Sequence, residues 1–328
     1  MERGMRGLFL CCLTFVVTGL LAVSCDKKDA ESKEDPYALE DELARLAAYR
    51  QVHYPAATAL GSQAFFQEIA GGTGAKPERG QWVRFDLSAQ TLDHRFVLAT
   101  ESDTAKYYSH FQRAVRYAPI YRACTPYALG RELFEVLQGM KQGATVVMGM
   151  SSPAVQQLGL ISGLGHTSLL FHLTLREVVP DPSAREEALI AQYTAANPGF
   201  ARRQRNDTTY YVRTVTPGKG AEIKKAGRVY IRYAAYALDG FLFDTNDAHL
   251  AQANGRQVGK TGKALLLVNL GNEKALLKAF SGIFPGHHVG DTFELVVPSS
   301  LAYGVKGKGA VQPYEPLRFW VYVQNYLE

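Results

Sequence analysis

Short stretches of alternating apolar and polar residues occur along the chain and predict β-strands. Residues 229–233 (VYIRY) and 292–297 (TFELVV) are two examples. A period of two is that of a strand with one buried face. Residues 276–284 instead have the pattern of a helix. The order of strands, one helix and further strands predicts an α+β domain, in which a compact antiparallel sheet wraps on one short helix.

The same pattern occurs twice along the chain, at an offset of about 147 residues, which is the size of one domain. Several separate stretches share this offset, so a duplication explains them better than chance. The matching pairs are GQWVRFDLSAQTLD from Gly80 with GRVYIRYAAYALDG from Gly227, GMKQGATVVM from Gly139 with GHHVGDTFELVV from Gly286, and LLFHLTL from Leu169 with LRFWVYV from Leu317.

Two domains therefore account for most of the 328 residues. Segments 38–50 and 183–196 each follow an Asp-Pro pair, carry acidic residues in the first turn and are predicted to be connecting helices. The predicted organisation is a leader at 1–24, a linker and helix at 25–55, a first domain at 56–180, a linker helix at 181–205 and a second domain at 206–328.

The N-terminal residues have the composition of an export signal. Arg3 and Arg6 precede an uncharged stretch that ends in Ala22-Val23-Ser24-Cys25, and a strongly charged segment follows. The ending resembles a bacterial lipobox, which implies a lipid-modified Cys25 and a lipid anchor to the cell envelope, on its periplasmic or surface side. A membrane-spanning helix is the alternative, although about 17 apolar residues are at the short limit for one.

Composition limits the remaining classes. Apolar residues make up 47% and charged residues 20%, as in folded soluble proteins. The net charge is +5 with no long basic run, so a nucleic-acid partner is not expected. After loss of the leader and lipidation of Cys25, Cys124 is the remaining thiol, which excludes an internal disulfide and favours a small buried apolar side chain.

The second domain resembles the FKBP-type peptidyl-prolyl cis-trans isomerases over about residues 210–328. The resemblance rests on several separated motifs in the right order: YIRYAAYALDGFLFDTN, LGNEKALLKAFSGIFPGHHVGD, FELVVPSSLAYG and VQPYEPLRFWVYV. It implies two tandem FKBP-like domains, of which the second rotates X-Pro amide bonds without a cofactor or metal. The implied partners are proline-containing polypeptides, and the implied role is to assist the folding of exported proteins.

The resemblance also implies a shallow apolar pocket. Tyr303 would donate a hydrogen bond to a substrate carbonyl, its glycine-rich loop would bend around the proline ring, and Asp244 would orient the substrate at the rim. Phe280 would form the floor. The expected catalytic residues are Tyr233, Phe243, Asp244, Tyr303 and Phe319, and the expected substrate-binding residues are Leu266, Leu277, Phe280, Ala310 and Val311.

Some positions depart from the family pattern. Leu266 replaces the usual phenylalanine, Ala310 replaces a larger aliphatic residue, and both changes predict weaker or altered substrate preference. Segment 245–266 is about a dozen residues longer than in compact members. It is predicted to be an extended flexible loop, either a solvated surface loop or a flap that grips longer unfolded segments. The adjacent pair His287-His288 is a poor metal-ligand set.

The first domain lacks the polar residues of the implied pocket. Aligned by the repeat, Phe85 lies opposite Tyr233, and Val97 and Leu98 lie opposite Phe243 and Asp244. This domain is therefore predicted to be a degenerate FKBP-like scaffold, a surface for homodimerisation or a chaperone-like face. For the whole protein, two alternatives to an isomerase stay open: a non-catalytic chaperone or peptide-binding module, and a structural component of the cell envelope.

Overall fold

Two seven-stranded antiparallel sheets dominate the computed structural model, which describes residues 38–163, 165–205, 207–256, 265–270, 278–280 and 282–328. Residues 1–37, with the predicted leader and Cys25, lie outside the described residues, whereas the described residues from 38 to 328 belong to one compact unit. No helix within the described ranges combines the length and apolar character needed to cross a membrane.

The elements follow the predicted order of a connecting helix and a sheet domain, repeated once. The strands are β1 (Thr58–Leu60), β2 (Ala64–Ala70), β3 (Trp82–Thr91), β4 (Phe96–Ala99), β5 (Ile120–Ala123), β6 (Thr145–Met150), β7 (Leu169–Val179), β8 (Ala201–Arg205), β9 (Thr208–Thr216), β10 (Gly227–Ala237), β11 (Leu242–Thr245), β12 (Leu266–Leu270), β13 (Thr292–Val297) and β14 (Leu317–Leu327). The helices are α1 (Ala38–His53), α2 (Ser102–Tyr107), α3 (Pro126–Leu129), α4 (Arg131–Gly139), α5 (Ser152–Gln157), α6 (Pro182–Ala196) and α7 (Ala248–Ala253), with 3-10 turns at Lys278–Phe280, Ser299–Leu301 and Gly304–Lys306.

The two sheets have the same strand order. The first is β1-β2-β6-β7-β3-β4 with β5 paired to β3, and the second is β8-β9-β13-β14-β10-β11 with β12 paired to β10. Every neighbouring pair is antiparallel. The predicted α+β fold and its duplication are confirmed.

Strand register identifies the equivalent residues of the two sheets. In the first sheet Ala89 pairs with Leu98, and in the second Ala235 pairs with Asp244. Leu98 is therefore the counterpart of Asp244, as the repeat predicts. The alignment of Phe85 with Tyr233 is wrong.

The β-bulges locate the error. The register of β3 against β7 shifts between Arg84 and Phe85, and that of β10 against β14 shifts equivalently between Tyr230 and Ile231. Phe85 therefore corresponds to Ile231, and Leu87 corresponds to Tyr233. Gly80 and Gly227, which begin the matching sequence stretches, are not equivalent in space. The reason is that β3 begins two residues after Gly80, whereas β10 begins at Gly227 itself.

Each sheet packs its apolar face on a separate core. The first core includes Phe85, Leu137 and Phe171, with the amphipathic helix α4 against the sheet, and the second includes Phe293 and Phe319. On the first sheet Gly149 of β6 pairs with Phe65 of β2, and a Cβ atom at Gly149 would overlap the Phe65 ring. The equivalent pair in the second sheet is Val296 with Tyr211.

Each connecting helix places a buried carboxylate against the turn after a central strand. Glu42 of α1 accepts hydrogen bonds from the amide and the hydroxyl of Ser152, both at 2.6 Å. Glu186 of α6 accepts from the amide and hydroxyl of Ser299 in the same way. Asp181 caps α6 by accepting from two amides of its first turn, which explains the predicted Asp-Pro start.

The long segment 245–266 was predicted to be an extended loop. The structure differs from this prediction, because part of the segment forms helix α7. The side chain of Asp247 accepts a hydrogen bond from the Leu250 amide at 3.0 Å and caps the helix. Residues 257–264 of this segment lie outside the described residues. Of the predicted helix at 276–284, the described part includes the 3-10 turn Lys278–Phe280.

Candidate active site

Tyr233 and Asp244 meet across two neighbouring strands of the second sheet. The Tyr233 hydroxyl donates a hydrogen bond to Oδ2 of Asp244 at 2.7 Å. Asp244 is exposed to solvent, whereas the Tyr233 ring is half-buried. Burial, and then the adjacent negative charge of Asp244, raise the pKa of Tyr233 above its ordinary value. Tyr233 therefore stays a proton donor and holds the carboxylate in one orientation.

A chain of aromatic rings lies beside this pair. The Phe280 ring centroid is 5.0 Å from that of Phe319 and 6.2 Å from that of Tyr233, and Phe319 is 6.5 Å from Phe243. Phe243 in turn is 6.3 Å from Tyr303. All four pairs are edge-to-face, the arrangement that the ring quadrupoles favour.

Tyr303 lies between two 3-10 turns, directly after Ala302. Its ring is half-buried against the second core, and burial, followed by the charge of Asp244, raises the pKa of its hydroxyl. Within the described residues this hydroxyl has no hydrogen-bond partner. It is thus a protonated donor free to bind an acceptor that enters the site.

The other predicted site residues differ in exposure. Val311 is buried, Leu266 is half-buried at the start of β12, and Ala310 is exposed. Phe280 and Phe319 are buried, so both contribute apolar surface below the half-buried rings of Phe243 and Tyr303. Leu277 lies outside the described residues.

Sequence reasoning missed the residues that hold the Tyr233–Asp244 pair in place. The side chain of Asn246 accepts from the Tyr233 amide at 2.8 Å and donates to the Ile231 carbonyl at 2.9 Å. The Thr245 hydroxyl donates to the Tyr233 carbonyl at 2.6 Å. A signal was present, since Asp-Thr-Asn at a strand end is a set of short polar side chains that bond to nearby backbone.

The first domain has no equivalent pair. Leu87 and Leu98 occupy the positions of Tyr233 and Asp244, and helix α5 follows β6 where Tyr303 and its turns follow β13. Cys124 is buried, and burial raises the pKa of its thiol to about 11, so it is protonated at neutral pH.

Residues 219–324 match the family model of the FKBP-type peptidyl-prolyl cis-trans isomerases. The C-terminal domain of this chain belongs to that family and is an FKBP-type peptidyl-prolyl cis-trans isomerase domain. Because the first sheet repeats the strand order of the second, the N-terminal domain is a second FKBP-like domain.

Solved structures of similar proteins include a peptidyl-prolyl cis-trans isomerase from Pseudomonas syringae pv. tomato, with 22% identity, 45% of this chain and 94% of that chain covered, and a TM-score of 0.35. FkpA from Escherichia coli has 22% identity, with 44% and 60% covered and a TM-score of 0.33. The three FKBP domains of wheat FKBP73 have 13% identity, with 81% and 96% covered and a TM-score of 0.31. No curated protein sequence matches this chain significantly.

Proposed function

We propose that the C-terminal domain rotates X-Pro amide bonds of exported polypeptides in an apolar pocket and thereby assists their folding. The observation that carries the proposal is the Tyr303 hydroxyl. It is a hydrogen-bond donor without a partner among the described residues. The Tyr303 ring is at one end of the series of aromatic contacts that leads to Tyr233, whose hydroxyl binds Asp244.

The reaction requires neither a nucleophile nor a metal. Rotation about a peptide C–N bond has a barrier of ~18–20 kcal/mol, since the planar amide is stabilised by conjugation. A site lowers this barrier when it binds the twisted amide more strongly than either planar isomer. A reduction of ~6 kcal/mol corresponds to an acceleration of about ten-thousand-fold.

The residues of the site can supply that difference in binding. Phe280 and Phe319 present a dry apolar surface for the proline ring. The Tyr303 hydroxyl donates to the carbonyl oxygen of the substrate, and it holds the chain while the amide twists. Asp244, oriented by the Tyr233 hydroxyl, places a negative charge at the rim, where it interacts with the polarised amide.

The proposed location follows from the N-terminal residues. A leader that ends in Ala-Val-Ser-Cys supports export and lipid attachment at Cys25, which would hold the isomerase at the cell envelope. Slow proline isomerisation limits the folding of many polypeptides, so unfolded exported proteins are the proposed substrates. A homodimer through the first domain is a further hypothesis, tested by sedimentation of residues 37–328.

A second candidate function is a module that holds proline-containing segments with little catalysis. The half-buried Leu266, at a position where the family usually has phenylalanine, favours it, because a smaller side chain gives the twisted amide less contact area.

The test measures cis-to-trans exchange in a short X-Pro peptide by NMR with residues 37–328. Acceleration that is lost in Asp244→Leu, which copies Leu98 of the first domain, is expected. If the unmodified chain does not accelerate exchange but suppresses aggregation of an unfolded proline-rich protein, it acts as the holding module instead.

A further inference from the structure

The loop of residues 304–315, hereafter the active-site loop, follows Tyr303 and contains both Ala310 and Val311. Few contacts within the loop stabilise its conformation. Val311 and Lys308 exchange two backbone hydrogen bonds, and Tyr314 donates from its amide to the Gly304 carbonyl at 3.1 Å. Three of its glycines have positive φ, and at Gly307 a Cβ atom would overlap the Val311 carbonyl. A glycine-rich loop of this kind has many alternative conformations.

Arg116 of the N-terminal domain supplies the missing restraint. One guanidinium nitrogen donates to the Ala310 carbonyl at 2.9 Å and to Oε2 of Glu315 at 2.6 Å. The other nitrogen donates to Oε1 of Glu315 and, at 2.8 Å, to Oδ2 of Asp239. Nε has no partner. The contact with Glu315 is thus bidentate, which is the strongest and most directional form of an Arg–carboxylate pair.

This ion pair is withdrawn from solvent. The Arg116 side chain is 11% exposed and that of Glu315 is 14% exposed, and the guanidinium lies 5.9 Å from the centre of the Phe241 ring. Such pairs are screened less by water and salt than surface pairs are. Glu315 also accepts from the Gln312 amide at 2.7 Å, so Arg116 acts on the carboxylate that already organises the loop.

Neighbouring residues extend the contact. The side-chain amide of Gln312 donates to the Pro119 carbonyl at 2.9 Å, and the Tyr314 ring lies edge-on to Trp82 of β3 at 5.2 Å. Arg113 donates to the Ala253 carbonyl at the end of α7, 2.9 Å away. The N-terminal domain therefore contacts the loop on both sides of Val311 and also the segment that follows Asp244.

The geometry points to a positioning role of the N-terminal domain in catalysis: Arg116 fixes the active-site loop in the conformation that completes the proline pocket. Val311 forms part of that pocket only when its loop lies against the second core. The observed affinity for substrate falls in proportion to the fraction of molecules in the competent conformation. This inference rests on the isomerase function proposed above. It assigns to the degenerate N-terminal domain the role of positioning the active-site loop.

The test compares residues 37–328 unmodified with Arg116→Ala, Arg116→Lys and a control, Arg84→Ala. Arg84 forms a half-buried ion pair with Glu177 at 2.9 Å, wholly within the N-terminal domain. KM and kcat for an X-Pro peptide are measured, together with amide hydrogen exchange of residues 304–315. Arg116→Ala is expected to raise KM about tenfold if the competent fraction falls to about one tenth, with kcat changed less than about twofold.

Hydrogen exchange in the loop should rise in Arg116→Ala, rise less in Arg116→Lys, which keeps the charge but not the bidentate geometry, and stay unchanged in Arg84→Ala. Unchanged loop exchange in Arg116→Ala overturns the inference. It is also overturned if exchange rises while KM stays constant, or if kcat falls alone. If the unmodified chain does not catalyse at all, the isomerase proposal fails, and peptide affinity replaces KM in the same comparison. A chain that neither catalyses nor binds overturns both.

Discussion

Tyr303→Phe tests the chemistry of the site most directly, because it removes one oxygen atom and leaves the ring in place. Within the described part of the chain the hydroxyl has no partner, so its loss breaks no internal hydrogen bond. The edge-to-face contact between Tyr303 and Phe243 at 6.3 Å uses the ring alone and is preserved. The free energy of unfolding of the variant should therefore lie within about 0.5 kcal/mol of that of the unmodified chain.

The expected loss of transition-state stabilisation is the free energy of one hydrogen bond to the substrate carbonyl. A neutral hydrogen bond contributes about 0.5–1.5 kcal/mol net. If this bond is made in the transition state, kcat/KM falls by a factor of about 2 to about 13. The residual activity then comes from the apolar surface of Phe280 and Phe319 and from Asp244.

The assay is cis-to-trans exchange in an X-Pro peptide followed by NMR, with Tyr322→Phe as the matched control. Tyr322 is on β14 like Phe319, but its side chain points to the opposite face of the sheet, where alternate residues are less buried. The control should retain full activity. An unchanged kcat/KM in Tyr303→Phe would refute the assigned role, and a loss beyond about a hundredfold would show that the hydroxyl does more than donate one hydrogen bond to a carbonyl oxygen.

Four further predictions concern other residues of the second domain and of the connecting helix α6 that precedes it. Phe280→Ala, which removes a ring that is 2% exposed, should lower the free energy of unfolding in urea by about 3–5 kcal/mol. Asp244→Leu should lower kcat/KM in the same NMR assay about tenfold or more, because a charged hydrogen-bond partner is lost. Glu186→Ala should lower the free energy of unfolding by about 1–3 kcal/mol for each donor of Ser299 that it leaves buried and unpaired. For Asp291, burial opposes ionisation, but hydrogen bonds from two backbone amides and a histidine outweigh it and lower the carboxyl pKa below its ordinary value of 3.8. Its stabilising contribution is present above that value and is lost as the pH falls further, so the deficit of Asp291→Asn in urea unfolding should shrink from pH 7 to pH 2.

Each of these outcomes has a contrary result. Full stability in Phe280→Ala would place that ring outside the core, and full activity in Asp244→Leu would remove the carboxylate from the mechanism. An unchanged free energy of unfolding in Glu186→Ala would contradict the assigned contact with Ser299. Glu42→Ala breaks the equivalent contact with Ser152 and is the matched control, which should leave kcat unchanged. A deficit of Asp291→Asn that does not depend on pH would contradict the assigned ionisation.

The sequence predicts the duplicated sheet well because strand alternation and repeated motifs are local signals. It fails where the outcome depends on spacing or on distant contacts. The Phe85 alignment is wrong because the pairing of the strands, and not the count from a glycine, decides which residues are equivalent. The helix in the long segment was missed although Asp247 is a suitable cap residue, because three glycines and several polar residues in the segment suggested a loop.

The candidate site is only partly readable from the sequence. The aromatic residues and Asp244 were found through family motifs, and the structure brings Tyr233, Phe243, Phe280, Tyr303 and Phe319 into contact. Arg116 was not found, because its partners lie in the other domain, almost 200 positions further along the chain. No local pattern indicates a contact across that separation.

The pairing of Gly149 with Phe65 has a consequence for how a duplicated chain reaches its native state. Because the two sheets have the same strand order, each strand has an equivalent position in the other sheet. Exchange of strands between repeats is a recognised route to misfolding. If β13 took the place of β6, Val296 would fall where only glycine leaves room for the Phe65 ring. One small residue and one large ring thus make the wrong assembly costly, and newly made chains are directed to pair each strand within its own repeat.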